Sequence, residues 1–248
     1  MSSHLTLSTL TLTPLLLLVN VAQADEAELE RAYRQAVNNA AFPNQTVVAD
    51  TLLPLKHDTP GLIWSTDGKK LLVVTWKSRS GYEKFLKPYT ATSNHPDYAV
   101  WVTAAPQVQR FCSHYAQTHP TQETLDLRLK QHLGLDHRWN YDVFVEMWVD
   151  PSDLFRPCVD PETSDSTCNL QFIGPLPTVK NIPDYSGYYS SLYFKSFRSS
   201  AGVPWTGLGY TYDWGSPNRV GASEFILAPN SRYEIREVVP TAQYCMGQ

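Results

Sequence analysis

Charged side chains are thin in this sequence: 18% of its 248 residues are Asp, Glu, Lys or Arg, against 42% hydrophobic and 12% aromatic. A chain this apolar is not a disordered one. The net charge of −4 leaves no basic excess to neutralise a polyanion, so no nucleic-acid partner is expected. Four cysteines are too few for a small disulfide-dense scaffold. No internal repeat, low-complexity tract or long linker interrupts the chain, which reads as one compact domain at about 150 residues or more per domain. HExxH, GxSxG, P-loop and GxGxxG patterns are all absent. His114/His119 and His132/His137 are each five apart; that spacing splays them by about 140° on a helix. No CxxC or zinc-like spacing occurs either, so neither a metal nor a cofactor is expected.

Charge is also missing from the first 24 residues, which contain no Lys, Arg, Asp or Glu. The apolar stretch Leu10–Val21 is followed by Ala22-Gln23-Ala24 and then by Asp25-Glu26. A short apolar core ending in small residues is the pattern of a cleaved secretory signal, with residues 1–24 as the leader and 25–248 as the mature chain. An uncleaved anchor or a buried helix are the other readings. Pro14 and the shortness of the run argue against a span, which needs about 20 apolar residues. The chain is therefore expected outside the cytoplasm, secreted or periplasmic, with no transmembrane segment after cleavage. Cys112, Cys158, Cys168 and Cys245 all fall in the mature part, where an even count implies disulfides. Of the three connectivities, Cys158–Cys168 with Cys112–Cys245 is favoured: the first closes a short loop and the second ties down the C-terminus.

Periodicity gives a mixed set of elements. Leu29, Tyr33, Val37 and Ala41 recur at spacing four, predicting an amphipathic helix from Asp25 to Ala41. Leu125, Leu129 and Leu133, followed by Gly134, predict a second helix with a glycine C-cap. Tyr189, Tyr193 and Phe197 favour a third. Lys70–Trp76, Val100–Thr103 and Val143–Val149 are β-branched and aromatic and read as strands. Asp67-Gly68 suggests a hairpin joining Ile63-Trp64 to the first of these. Three more strands are expected at Tyr210–Trp214, Glu224–Leu227 and Tyr233–Val239, the last two paired as a hairpin about Asn230-Ser231. Without regular βαβ alternation, this is an α+β fold with a mixed or largely antiparallel sheet, two to three helices and disulfides.

Three segments carry candidate chemistry. In Val143–Val149, alternation puts Glu146 on one face between Phe144 and Trp148. A carboxyl there is costly to bury unpaired and would suit a general acid, or it faces water on a wet strand. The loop Asp150–Cys168 holds five acids around Arg156. Its spacing fits no EF-hand, and Arg156 is either a binder of an anionic group or a surface ion-pair partner. Pro204–Trp214 concentrates Trp205, Tyr210, Tyr212 and Trp214 with Asp213 and two glycines. Such a segment is either a stacking platform for a ligand or ordinary core.

The closing stretch Gly221–Val238 (GASEFILAPNSRYEIREV) resembles the end of ADP-ribosyltransferase-type toxins, which place a carboxylate at a strand start ahead of an Ile/Val-Leu-x-Pro-x-Ser-x-Tyr-x-Ile hairpin. Gly221–Phe225 is also similar to the end of the tuberculosis necrotising toxin family of NAD glycohydrolases. By that resemblance Glu224 would face the nicotinamide ribose and stabilise the positive charge that develops as the glycosidic bond breaks. The sequence as a whole resembles uncharacterised secreted bacterial proteins, from which no mechanism follows.

Three functions stay open on the sequence. One is an extracytoplasmic protein binding a small molecule or glycan through Trp205, Tyr210, Tyr212 and Asp213, with Arg156 nearby. Another is an enzyme cleaving a glycosidic or N-glycosidic bond with Glu146 or Glu224. The third is a structural envelope protein in which the aromatics are core.

Overall fold

The computed structural model describes residues 14–119, 121–198 and 202–246, with side chains from residue 25 onward. The expected leader, residues 1–24, lies outside the described side chains and, over residues 1–13, outside the described residues altogether. Helix α1 (Pro14–Ala40) runs through the expected Ala24–Asp25 junction and buries Tyr33, Ala36 and Ala40 along one stripe. No helix of the described residues is long and apolar enough to cross a membrane.

Strand β1 (Leu71–Lys77) is apolar at nearly every position and buried on both faces, the pattern of a central strand. Helix α2 (Arg79–Phe85), β2 (Val100–Ala104) and helices α3 (Gln107–Ala116) and α4 (Gln122–His132) follow. Strand β3 (Val143–Val149), the short β4 (Leu154–Phe155) and helix α5 (Tyr185–Arg198) complete the middle of the chain. The C-terminal part is β5 (Tyr210–Tyr212), β6 (Val220–Ser223), β7 (Phe225–Leu227), β8 (Tyr233–Pro240) and α6 (Thr241–Met246). The class is α+β as expected, with six helices among the described residues rather than two or three.

The main sheet has the order β4-β7-β2-β1-β3-β8, antiparallel throughout, and β5 pairs with β6 in a two-stranded sheet. One face of the main sheet carries Leu71, Val73, Val145, Met147, Phe225 and Leu227 in the largest apolar cluster. The opposite face packs Val74, Trp76 and Phe144 against α3, α4 and α6, and Phe155 and Ile226 against α5. Ile63 and Trp64 meet β1 as expected, through the Trp64–Leu71 bridge.

The predicted β7–β8 hairpin does not form. Strand β7 is short, buried at all three positions and lies between β2 and β4, whereas β8 pairs with β3 at the far edge. Its alternation of Tyr233 and Ile235 with Glu234 and Arg236 suits an edge strand, where outward charges discourage further pairing. Asn230, at φ 55°, turns the chain without turning it back on itself.

Both favoured disulfides are present, Cys112–Cys245 and Cys158–Cys168, and no described cysteine is free. The first joins α3 to α6 and holds the C-terminal helix on the sheet; the second closes the acidic loop.

Candidate functional site

A cavity of about 350 Å³ lies on the helix-covered face of the main sheet, between that sheet, α5 and the β5 segment. Its floor is the end of β1 (Val74, Trp76) and β2 (Trp101, Thr103). Leu192 and Ser196 of α5 and the Val203–Trp205 strand of chain cover it. Helix α5 is held over the cavity by its own hydrogen bonds. The Tyr185 hydroxyl donates to the Cys158 carbonyl at 2.6 Å, the Tyr193 hydroxyl donates to the Ala41 carbonyl at 2.9 Å, and Lys195 pairs with Asp97.

One side wall is set by Gly134. It ends α4 in the left-handed region, at φ +66°, with the Leu135 N–H bonded to the Lys130 carbonyl and the Gly134 N–H to the Gln131 carbonyl. This is the paired C-cap that glycine permits. A side chain there would also meet the backbone of Tyr212, 3.3 Å from its first carbon. The glycine thus lets α4 pass close to β5.

Glu224 lines the cavity from the junction of the two sheets, between the end of β6 and the start of β7. The β2–β7 register pairs Val102 with Phe225, so one step further sets Glu224 opposite Thr103, on the same face as Trp101. The β5–β6 register pairs Ser223 with Tyr210, and Tyr210 lines the cavity from β5. The Glu224 N–H is fixed on the Gly209 carbonyl at 2.9 Å. The carboxyl itself is deep in the protein yet faces the cavity, and burial alone pushes its pKa up to about 8. No hydrogen bond or ion pair engages it among the described residues. Lys77, at the end of β1, lines the same cavity; burial lowers the pKa of its amine, and it too has no partner among the described residues.

Of the residues singled out by sequence, Trp205, Tyr210, Tyr212 and Glu224 meet at this cavity. The two tyrosine hydroxyls are engaged away from the cavity. Tyr210 donates to the Val47 carbonyl at 2.7 Å, and Tyr212 accepts from the Asn39 amide at 3.2 Å. Both tyrosines also line a second cleft of about 410 Å³ beside α1.

Asp213, Arg156 and Glu146 lie elsewhere. Asp213 is buried and takes hydrogen bonds from Arg128 and His132. Arg156 is completely buried, donating to Asp165 and to the Leu53 and Glu162 carbonyls, so it braces the disulfide loop instead of awaiting an anion. Glu146 is on the cavity's face of the sheet but beneath α6, and Arg236 donates to it at 3.1 Å. Burial raises the Glu146 pKa, the Arg236 charge opposes that, and Glu237 adds to it.

The acids of the Asp150–Cys168 loop are each occupied as well. Asp153 pairs with Lys180, Asp160 accepts from Asn169, Glu162 from Ser164 and Asp165 from Arg156. The one cluster of three ligand-type side chains among the described residues is Cys158, Asp160 and Cys168, and its two sulfurs are joined to each other.

Sequence reasoning missed Lys77, Trp101 and Thr103. The signals were present: Lys77 is a charge closing a largely apolar strand, and alternation puts Trp101 and Thr103 on one face. What was not visible was that strands more than a hundred residues apart share one cavity. No family model, curated protein or solved structure matches this chain.

Proposed function

We propose that this chain is an exported, disulfide-stabilised protein that binds a small ligand in the cavity beneath α5. The observation that carries this reading is an unpartnered carboxyl deep inside an aromatic-walled space. Proteins rarely leave such a group without a compensating partner. A pocket walled by apolar and aromatic side chains with a few polar groups is the usual form of a small-molecule site. Export is supported by the leader-like start and by the two disulfides, which persist in oxidising compartments.

The test is to fill the space. Ser196→Phe adds a ring from α5, whereas Ser196→Ala leaves the space open. Protein recovered from the extracytoplasmic fraction is expected to carry a small molecule detectable by native mass spectrometry, and Ser196→Phe is expected to lack it. Equal loading of both variants would remove the cavity as the site.

A second reading is an enzyme cleaving an N-glycosidic bond, favoured by the position of Glu224, the carboxyl that the toxin resemblance sets against the reacting ribose. Glu224 is the one carboxylate lining the cavity, so a mechanism needing two carboxylates is not equipped here. A single carboxylate steadying a developing cation is the chemistry that the toxin resemblance implies. Incubation with NAD tests it: nicotinamide release that Glu224→Ala abolishes supports the reading, and absence of release removes it.

A further inference from the structure

We infer that the ligand of this cavity is an organic ammonium ion, held against aromatic faces and paired with the Glu224 carboxylate. The inference rests on the reading that the cavity takes a ligand, and adds the ligand's charge and chemical class.

Its first support is the placement of Glu224. The β2–β7 register puts Trp101 on the face of Glu224, and Trp205 and Tyr210 line the same space. Aromatic faces are negative, and a cation within about 6 Å of a ring centroid is attracted, most of all when both are desolvated.

The second support is the lack of any protein cation on the carboxyl. Two lysines and three tyrosines share the cavity lining with it. Lys195 of α5 is held by Asp97, Lys77 of β1 is itself unpartnered, and burial raises the pKa of Tyr141 and Tyr210. Burial disfavours charge on both Lys77 and Glu224. An arriving ammonium supplies the missing counter-charge. The Glu224 carboxyl then ionises, and its proton passes to the buffer.

Three probes of one shape separate the possibilities: choline, the neutral 3,3-dimethylbutan-1-ol, and 3,3-dimethylbutanoate. Binding is followed by tryptophan fluorescence and by calorimetry at pH 7 in two buffers of different ionisation enthalpy. Choline is expected to bind at least about tenfold more tightly than the alcohol and to release about one proton. Its affinity should rise roughly tenfold from pH 6 to pH 7 and level off above pH 8. Glu224→Gln, nearly isosteric, should abolish the proton release and the pH dependence while leaving the alcohol's affinity in place. Equal affinity for choline and the alcohol, without proton release, would overturn the cation inference and leave the cavity as a ligand site. Preference for the anion would overturn it in favour of Lys77. Failure of all three to perturb the tryptophans would overturn both.

Discussion

Arg128 sets both terminal nitrogens of its guanidinium on the Asp213 carboxylate, at 2.9 and 2.7 Å. His132, one turn further along α4, meets the same carboxylate at 3.0 Å. Both side chains rest on Phe111, the His132 ring stacked at 3.6 Å between centroids and Arg128 at 4.7 Å from the ring centre. The cluster clasps α4 to the end of β5, and Asp213 therefore serves the fold rather than the cavity. Burial works against the ionised Asp213, but hydrogen bonds from His132 and Arg128 outweigh it and hold its pKa below the usual carboxylate range. A lowered pKa contributes stability above the unfolded value of about 3.9 that is lost as pH falls through the folded one. Asp213→Asn should cost about 3 kcal/mol at pH 7 in chemical denaturation, and the difference from wild type should narrow below pH 4. A loss under about 0.5 kcal/mol would mean that the clasp is dispensable.

Glu224 works in the opposite direction. Its folded pKa of about 8 lies above the ordinary glutamate value of 4.5, so the folded protein binds the proton more tightly than the unfolded chain does. Its contribution to stability must therefore decline as pH rises from about 4.5 to 8 and stay constant beyond. Removing the titration with Glu224→Gln should be nearly neutral at pH 5 and stabilising by on the order of 2 kcal/mol at pH 8.5, discounted for the cavity's access to solvent. Parallel stability curves for the two proteins across that range would show that the carboxyl is ordinarily solvated.

What the sequence disclosed and what it withheld have physical causes. Alternation and β-branching identified β1, β2 and β3, because a strand's period is local and each carries its own pattern. Helix α3 has a stripe at Val108, Phe111, Cys112 and Tyr115, spaced three and four apart, that went unread; α6 is too short to show any period. Partner choice was the larger loss. β7 and β8 look like the arms of a hairpin, and only their burial differs: wholly buried in one, alternating in the other. The cavity combined a legible part, the aromatic β5 segment and Glu224, with an illegible one, since Lys77, Trp101 and Thr103 reach it through strand order alone.

The two disulfides should differ in weight. Cys112–Cys245 spans 133 residues and Cys158–Cys168 spans 10. Loop-closure entropy gives them about 5 and about 3 kcal/mol respectively, provided that the reduced chains are otherwise unstructured. Cys112→Ser/Cys245→Ser should lower Tm more than Cys158→Ser/Cys168→Ser. The second pair should instead loosen the loop around Arg156, seen as faster hydrogen exchange over residues 158–168. The reverse order of Tm would show that the acidic loop, not the C-terminal tie, is the stabilising element.

Tyr212 needs a variant that keeps its ring. It is 6% exposed and packs with Tyr33, Ala36 and Trp214, so truncation to Ala should cost about 3–5 kcal/mol and obscure any effect on binding. Tyr212→Phe removes only the oxygen that accepts from Asn39. It should lower stability by about 1 kcal/mol and leave choline affinity within about twofold, as expected of a wall residue whose hydroxyl is engaged by Asn39. A tenfold loss of affinity would place the hydroxyl, and not the ring, at the ligand.

Glu146 and Glu224 were equal candidates on sequence, and strand order now parts them. Val74 pairs with Glu146 on one side and with Thr103 on the other, and Thr103 in turn faces the Glu224 position. Three strand spacings lie between the two carboxylates, about 14 Å at about 4.8 Å each. Tyr244 of α6 stacks on Phe144 at 4.1 Å between centroids, and burial, with the nearby Glu146 charge added, raises the Tyr244 pKa, so the C-terminal helix covers this part of the face. Arg236 already supplies the counter-charge that Glu224 lacks. Glu146→Gln should therefore shift ligand affinity, or any nicotinamide release, by less than about twofold, where Glu224→Gln shifts it tenfold or more. Coupled losses in the double variant, measured as a mutant cycle, would mean that the two carboxyls act on one bound molecule and that α6 moves aside to let them.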